Sequence, residues 1–552
     1  MGSVAVDVPV GSPGLALVFT LDPLNAVFLQ IVLLCGGVTL AKMASAGEQA
    51  ADVAAAAMTI AGLSVTLLAG SAVMLEIGLW SAGLGLWNWG RDRSLPLRVI
   101  IAGLLALVAL CLLTPNGALD FGAIRATQAM PSRAAAFGVA AGIALLLPIA
   151  FRDGFPGSLG TGFLIPTGIY ILIRLLIDLP GANVTAWSGY TLMLAGAGGG
   201  VAMGWRATGH PDLGGAVDAL LRQYGAIAVL ALGVCIVGKS SDLPETTCVG
   251  LAAAIMLALG GAGLAGTLAS LGGSDLARGA GSWRLARLGG LIHTMPLASG
   301  VFAVSLLAFA PAPPGLAFAG IWLLLQALLS APPTGGLIAQ IPLIAATVAV
   351  AASAGLATAT TVRLAGIAIL GRPRSARASS ALDITRPQAV ILSALAGVVL
   401  VIGLLPGIML RALAEPAIGM LSGTSLGARA GWTVLSAAPS MAGYASLPVF
   451  ALLLLAAGGV VLVTRRYRSE QRLSTIWTGG LPPPTNLPFD VPMAQSAGTG
   501  FRPVLPHLPA LSRPRLRLDP RPRLGLRAGI WVMLSGVSLL LLASSLAGSS
   551  GP

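Results

Sequence analysis

The stretch that decides the fold is Arg287–Leu329, RLGGLIHTMPLASGVFAVSLLAFAPAPPGLAFAGIWLLLQALL. It holds two apolar runs, Met295–Ala310 and Gly315–Leu329, and each is shorter than the roughly 20 residues that a full membrane crossing takes. Between the runs lie Pro311, Pro313, Pro314 and Gly315. Proline removes a backbone donor and clashes with the preceding turn, so one smooth helix cannot pass this point. The stretch near 295–331 therefore predicts either a hairpin of two short helices or one crossing broken in two.

The composition indicates a membrane protein. Of the 552 residues, 56% are hydrophobic and 9% are charged, whereas a soluble domain carries about 25% charged residues. The apolar runs are long and continuous, unlike the alternating segments of about 10 residues in a transmembrane barrel. We therefore predict an all-α, polytopic protein embedded in the lipid bilayer. The net charge of +13 then reports membrane topology, and it does not indicate nucleic-acid binding.

The apolar runs predict about fourteen transmembrane spans when the broken element counts as one crossing. They lie near 14–40, 54–71, 73–89, 97–114, 134–151, 159–178, 185–205, 224–238, 248–272, 295–331, 338–362, 387–411, 446–464 and 528–547. Three regions follow from this pattern: a transmembrane bundle over 1–464, a basic Pro/Arg-rich cytoplasmic segment over 465–527, and a C-terminal transmembrane helix within 528–552.

Basic residues favour the single broken crossing over the hairpin. With Arg91, Arg93 and Arg98 in the cytoplasm by the positive-inside rule, a single crossing places both later basic regions, 372–386 and 465–527, on the same side. A hairpin would instead place both of these basic regions on the periplasmic side. A single crossing also predicts that both termini lie on the periplasmic side of a bacterial inner membrane. The outer side keeps a few charges that weaken the bias, such as Arg125, Arg133 and Lys239.

The segment 465–527 is the one long polar stretch of the chain, and its prolines prevent a long regular helix. One interpretation is a basic linker that lies on anionic headgroups. The alternative is an arm that docks along a partner subunit.

The cysteines do not predict a metal or a cofactor. Cys35, Cys111, Cys235 and Cys248 are isolated, and no CxxC pair or Cys/His cluster occurs in the sequence. Iron–sulfur clusters and structural zinc need several such ligands at close spacing. We therefore expect no cofactor and no catalytic centre in this chain.

Two acidic residues within apolar sequence are candidates for a function. Glu76 lies in GSAVMLEIGLWSAGLGLW, with no basic residue nearby in sequence. A charge in lipid is costly, so Glu76 should face other helices, either as a proton-path residue or as a polar packing contact. Asp22 precedes Pro23, and this pair predicts the capped start of a helix.

From about residue 20 onward the chain resembles the hydrogenase 4 component B and formate hydrogenlyase subunit 3 family, relatives of the antiporter-like, proton-conducting subunits of complex I. Shared features are Gly289, Gly290, Leu291, Met295, Pro296, Pro313, Pro314 and Trp322 in the broken stretch, Thr167–Tyr170 followed by Arg174, and Arg363 before Leu370, Gly371, Pro373, Arg374 and Ser375. The resemblance implies an antiporter-like fold with inverted repeats. It also implies a proton path that includes Glu76, Arg363 and Arg174, although Arg363 also fits a side chain that snorkels at the cytoplasmic face.

The sequence departs from that family at its buried lysines. Ile143 stands at the expected lysine position of Gly-x-Lys-x-Gly-x-x-Pro, and Ile321 stands where an ionisable residue precedes Trp322. The resemblance implies a membrane-arm subunit of a hydrogenase-like or complex-I-like oxidoreductase, bound to other membrane and peripheral subunits, in which proton translocation is coupled to electron transfer. The lost lysines leave open a non-conducting scaffold of such a complex. They argue against a standalone antiporter.

Overall fold

The computed structural model describes residues 4–8, 17–89, 94–113, 120–127, 132–146, 157–181, 183–331, 336–371, 373–426, 431–437 and 442–466. The structure is 83% helical, which confirms the all-α class. The chain beyond Arg466, including most of the predicted basic segment and the predicted C-terminal helix, lies outside the described residues.

The helices follow one another with short connections. The first group is α1 (Pro23–Ser45), α2 (Ala50–Leu67), α3 (Ala72–Trp89), α4 (Ser94–Leu113), α5 (Phe121–Thr127), α6 (Ser132–Leu146), α7 (Gly157–Ile173, continued by π-helical Arg174–Asp178), α8 (Ala186–Gly209) and α9 (Leu213–Ser240). The second group is α10 (Pro244–Ile255), π-helical Met256–Ala265, α11 (Gly266–Ala280), the 3₁₀ turn Leu285–Arg287, α12 (Leu291–Thr294), α13 (Pro296–Phe309), α14 (Leu316–Ser330), α15 (Gly336–Leu364, continued by π-helical Ala365–Ile369), α16 (Ala376–Ser379), α17 (Arg386–Leu404), π-helical Ile408–Ala414, α18 (Glu415–Ser422) and α19 (Ser446–Arg466).

Two antiparallel hairpins add small sheets to the bundle. In the first, β1 (Val4–Val8) pairs with β2 (Leu17–Leu21), with Val4 opposite Leu21. In the second, β3 (Val434–Ala437) pairs with β4 (Ala442–Ala445), with Val434 opposite Ala445.

Two central helices organise the bundle. One is α9, and the other is the continuous 37-residue helix Pro244–Ala280, which comprises α10, a π-helical section and α11. Both are buried along almost their whole length, whereas α15 is largely exposed and α19 is exposed from residue 451 onward. Exposed apolar helices of this kind suit contact with lipid.

The broken element crosses the bundle once. Its halves are α13 and α14, separated at 310–315, which confirms the predicted break. Both halves run antiparallel along the central helix Pro244–Ala280. Three contacts fix this path: Met295 meets Gly279, Phe302 meets Gly272, and Thr246 Oγ1 donates to the Ser330 carbonyl. Two helices of a hairpin could not contact one rod at both of its ends in this order, so the two halves lie end to end.

Neighbouring side chains cover the break. The Tyr224 hydroxyl of α9 donates to the carbonyl of Phe309, the last residue of α13. This contact satisfies a backbone group that the proline break would leave unpaired. On the other half, Tyr444 of β4 packs against Phe318 and Trp322 of α14, with ring centroids 4.8 and 6.1 Å away. Burial raises the pKa of Tyr444 to about 12, so it contributes a neutral phenol.

Polar contacts gather at two opposite ends of the bundle. At one end, here called the Lys42 face, lie Lys42, Arg278, the α8 C-terminus and Arg363. At the other, the Asp22 face, lie Asp22, Arg125, Asp178, Lys239 and Ser330. The broken element starts at the Lys42 face and ends at the Asp22 face, as a single crossing requires.

Glycines bring α2 and α3 into close contact. A Cβ added to Gly62 would lie 2.4 Å from the backbone nitrogen of Ala82, and one added to Gly78 would lie 2.5 Å from that of Thr66. Real Cβ atoms do not approach backbone this closely, so only glycine allows the spacing. Small residues at such interfaces are typical of membrane helices.

Among the described residues, seven helices are both long and apolar enough to cross a membrane, counting Pro244–Ala280 as one. Shorter apolar helices add to these, including both halves of the broken element. The multi-pass architecture is thus confirmed. The number of fourteen spans stays a prediction, since the last of them lies outside the described residues.

Candidate functional site

Glu76 is a buried carboxylate in α3. Its side chain is 4% exposed, and it points at α4, where a Cβ added to Gly103 would lie 2.7 Å from Oε2. Glycine at that position therefore makes room for the carboxylate between two helices. Among the described residues, neither carboxylate oxygen has a hydrogen-bond partner. The indole N–H of Trp80 is near, one turn along α3, but without the geometry of a hydrogen bond. Glu76 can therefore gain or lose a proton without breaking a protein hydrogen bond.

Arg174 lies in a different environment, a cluster of ion pairs at the Asp22 face. Its Nη2 donates to Asp22 Oδ2 at 2.6 Å, and its Nη1 donates to Asp178 Oδ2 at 2.7 Å. Its Nε donates to the Tyr170 hydroxyl at 3.1 Å, and that hydroxyl donates to the Leu67 carbonyl at 2.8 Å. The guanidinium therefore ties α1, α2 and α7 together.

Asp22 also caps α1, as the sequence predicts. Its carboxylate accepts from the Asn25 N–H at 3.0 Å, and the Asn25 side chain accepts from the Asp22 N–H at 2.8 Å. Arg125 from α5 adds a second cation, 2.6 Å from Asp178 and 3.4 Å from Asp22. Two carboxylates and two guanidiniums balance in charge, which is how buried charges persist in a low-dielectric interior. This balance also explains why Arg125 is tolerated on the outer side of the predicted topology.

Arg363 caps a helix at the Lys42 face. Its Nη1 and Nη2 donate to the carbonyls of Thr208 and His210, at 2.8 and 2.9 Å, where α8 ends. Helix C-termini leave carbonyls unpaired and carry partial negative charge, so a cation there stabilises the helix. These contacts favour the structural interpretation of Arg363, and its role in a proton path stays a prediction.

The sequence-predicted path residues do not meet. Arg174 is at the Asp22 face, Arg363 is at the Lys42 face, and Glu76 has no hydrogen-bond partner in the part of the chain that the structure describes. The two isoleucines at positions where the resemblance implies ionisable residues make apolar contacts: Ile321 is buried in α14, and Ile143 packs at the edge of the core from α6. In the described part of the chain, no ion-pair network joins Glu76 to either face.

A buried ion pair that the sequence did not predict joins Lys42 to Asp275. Lys42 Nζ lies 2.7 Å from Asp275 Oδ1, and the two side chains are 2% and 6% exposed. The residues are on α1 and α11, and 233 positions separate Lys42 from Asp275 along the chain. The sequence feature that could have predicted this pair is Asp275, a single acidic residue near the end of a long apolar run.

Metal binding has no support in the described residues, where no group of three or more His, Cys, Asp or Glu side chains could hold an ion. None of the four cysteines forms a disulfide. The buried acids and bases of this arrangement, by contrast, can hold and exchange protons.

No protein-family model matches the chain. Two curated proteins of Escherichia coli (strain K12) are similar to it. Hydrogenase-4 component B is 27% identical over 303 residues, which are 52% of this chain and 45% of that protein. Formate hydrogenlyase subunit 3 is 26% identical over 250 residues, which are 44% of this chain and 41% of that protein. The chain thus spans about half the length of the curated relatives that it matches.

Solved structures extend the similarity of fold over most of the chain. A chain of the membrane-bound sulfane sulfur reductase (MBS), an archaeal respiratory membrane complex, aligns with a TM-score of 0.66 and 18% identity, covering 87% of this chain and 80% of that one. A chain of the Mrp complex from Dietzia sp. DQ12-45-1b aligns with a TM-score of 0.61 and 18% identity, covering 76% and 87%. The resemblance read from the sequence is thereby confirmed: the chain is similar to hydrogenase-4 component B and formate hydrogenlyase subunit 3, and it has the fold of polytopic, antiporter-like membrane subunits.

Proposed function

We propose that this chain is a membrane-arm subunit of a hydrogenase-like or complex-I-like oxidoreductase, and that it moves protons across the membrane as partner subunits transfer electrons. The observation that carries this proposal is Glu76, a buried carboxylate inside an antiporter-like fold, for which the described residues provide no hydrogen-bond partner. A buried, unpaired acid is costly, and inside membranes such residues mark ion and proton pathways. In this proposal, electron transfer itself takes place in the partner subunits.

The partners and the membrane follow from the same proposal. Both curated relatives are named as parts of hydrogenase or formate hydrogenlyase, and the matching solved chains come from multi-subunit membrane complexes. Other membrane and peripheral subunits therefore pair with this chain in a bacterial inner membrane. The exposed apolar helices α15 and α19 offer surfaces for lipid or for such subunits.

The topology is part of the proposal. We place the Lys42 face in the cytoplasm, because the positive-inside rule puts the bulk of the arginines there. The division of the chain into a bundle over 1–464, a basic segment over 465–527 and a last helix within 528–552 also stands as a proposal. Both termini are then periplasmic.

Proton flux into proteoliposomes that contain the purified complex tests the function. We expect the wild-type complex to acidify the lumen during electron transfer, and Glu76→Gln to lower the flux about tenfold or more, the scale of losing a proton-transfer group. Glutamine keeps the size of the side chain and removes its titration. Wild-type flux in Glu76→Gln would exclude this residue from the mechanism.

The second candidate function is a non-conducting scaffold of the same complex. Ile143 and Ile321, at the positions where the family resemblance expects ionisable residues, favour it, since apolar gaps between proton carriers are barriers. If the chain is a scaffold, we expect the complex to transfer electrons without proton flux through this chain. Glu76→Gln should then change neither the electron transfer nor the proton flux. The same vesicles therefore distinguish the two functions.

A further inference from the structure

A line of buried polar side chains runs inward from the Lys42 face, between α1 and α11. It begins at the Lys42–Asp275 ion pair, where Lys42 Nζ also donates to Ser274 Oγ at 3.3 Å. One turn further out, Arg278 pairs with Glu48, and these two side chains are 45% and 22% exposed. The line is thus connected to the aqueous side by charged groups.

The line continues along one face of α11. Thr267, Ser270 and Ser274 follow at spacings of three and four residues, which puts them on the same side of the helix. At a rise of 1.5 Å per residue, Thr267 lies about 12 Å deeper than Asp275. There it faces the thiol of Cys35 on α1. We call these residues the α1–α11 seam: Cys35, Lys42, Thr267, Ser270, Ser274 and Asp275.

Several polar atoms of the seam are buried without a hydrogen-bond partner among the residues described here. They are Asp275 Oδ2, Ser270 Oγ and Thr267 Oγ1, on side chains that are 6%, 3% and 1% exposed. An unpaired buried polar atom is costly, and water is the small group that commonly pairs such atoms inside proteins.

The start of the broken element closes the seam from the third side. Met295, the residue before α13, contacts Gly279 of α11, and Phe302 of α13 contacts Gly272; Ser299 lies between them on that face. Its hydroxyl is also buried without a partner. Asp383 accepts from the N–H groups of Leu297 and Ala298 at the start of α13, and its charge, with those of Arg278 and Glu48, is near the ion pair.

We propose that the α1–α11 seam holds a file of water molecules, and that Lys42 and Asp275 are the proton-exchange pair at its mouth. The hydration of the seam stands on its own, whereas its use in proton movement rests on the proposed function. The seam then gives protons an entry from the Lys42 face that needs none of the lysines missing from this sequence.

The exchange step uses both members of the pair. A proton passes from Lys42 Nζ to Asp275 Oδ1, so that an N–H bond breaks, an O–H bond forms and both groups become neutral. Asp275 then releases a proton to water beside Ser270 and returns to the carboxylate. Lys42 takes a proton from the aqueous side, past Glu48, and returns to the ammonium. Charge and protons balance over the cycle.

Hydrogen–deuterium exchange of native thiols tests the water file without any assay of activity. In the purified complex transferred to D2O, the infrared S–H bands of Cys35 and Cys235 are assigned with Cys35→Ala and Cys235→Ala. Both thiols are buried, and Cys235, near the end of α9, is nearer to its helix end than Cys35 is. In a uniformly dry bundle Cys35 would exchange no faster than Cys235. We expect Cys35 to exchange about tenfold faster or more, as water-borne exchange requires. Equal or slower exchange of Cys35 overturns the water file.

Proton flux in the same proteoliposomes tests the exchange pair. The double variant Lys42→Met/Asp275→Leu replaces the ion pair with apolar groups, a change that buried pairs tolerate without loss of folding. We expect it to assemble and to lose flux about tenfold or more. The matched control is Asp218→Asn, which breaks the Arg222–Asp218 pair of α9, 2.8 Å apart and outside the seam. It should conduct like the wild type.

The outcomes separate the two proposals. If the wild type conducts, Glu76→Gln does not, and the double variant conducts normally, the exchange role of the pair is wrong while the proposed function stands. If the wild type does not conduct, the proposed function and the exchange role both fail, and the thiol measurement still decides whether the seam holds water.

Discussion

The guanidinium of Arg174 lies 2.6 Å from the carboxylate of Asp22, although the two residues are 152 positions apart in the chain. One contact thereby joins the capped start of α1 to the end of α7. With Asp178 and Arg125 it forms a charge-balanced cluster that is largely removed from water. Breaking such a pair leaves an uncompensated charge, which costs more than the pair itself contributes.

Arg174→Met should therefore destabilise the protein by about 3–5 kcal/mol, because Asp22 and Asp178 stay buried and lose the ion-pair partner that lies deepest in the protein. The measurement is the midpoint of thermal unfolding of the purified complex in detergent, followed by tryptophan fluorescence. Arg125→Met is the matched control, and its more exposed side chain predicts a loss of about 1 kcal/mol or less. Equal losses in the two variants would contradict the central position of Arg174.

Unlike Arg174→Met, Glu76→Met should stabilise the protein, by about 1–3 kcal/mol. It removes a buried polar group that has no hydrogen-bond partner in the described part of the chain, so no partner is left unpaired. The same unfolding measurement checks it. Asp22→Asn serves as the contrast, because it weakens a carboxylate that has partners and should lower the midpoint. A lower midpoint for Glu76→Met would mean that the carboxylate has a stabilising partner after all.

Tyr224→Phe should destabilise the protein by about 1–3 kcal/mol, because the Phe309 carbonyl at the break would stay buried without a donor. The phenyl ring keeps the stacking with Phe309, whose centroid is 5.5 Å away, so the loss reports the hydroxyl. The control is Tyr190→Phe on the half-buried side of α8, which should change the midpoint little. If both variants have the same unfolding midpoint as the wild type, the hydrogen bond from Tyr224 to the Phe309 carbonyl does not stabilise the break.

Gly62→Ala should destabilise the protein by about 1–3 kcal/mol, the usual cost of overpacking a close helix contact. The added methyl group would meet the backbone of α3 at 2.4 Å. Gly37→Ala on α1 is the matched control: nothing lies within 4 Å of the added carbon, and alanine favours a helix by up to about 1 kcal/mol over glycine. A Gly62→Ala variant as stable as Gly37→Ala would show that α2 and α3 are not tightly packed.

The sequence by itself determined the class of protein, the location of the break and the cap of α1. These features are local: apolar runs, prolines and an Asp-Pro pair act through neighbouring residues and appear in the structure where the pattern puts them. Shared motifs in the broken stretch likewise sufficed to indicate the family resemblance that the comparisons confirm.

Only the tertiary structure decided what each buried charge does. Arg174 proved to be held by two aspartates, and Arg363 by the carbonyls at the end of α8. Lys42 forms an ion pair with Asp275 of α11, and no local sequence pattern connects these two residues. The physical reason is that a charge in an apolar protein is stabilised by partners distant in sequence, so its role depends on which helices pack together. The same holds for Glu76, whose lack of a partner is a property of the packed bundle rather than of its own helix.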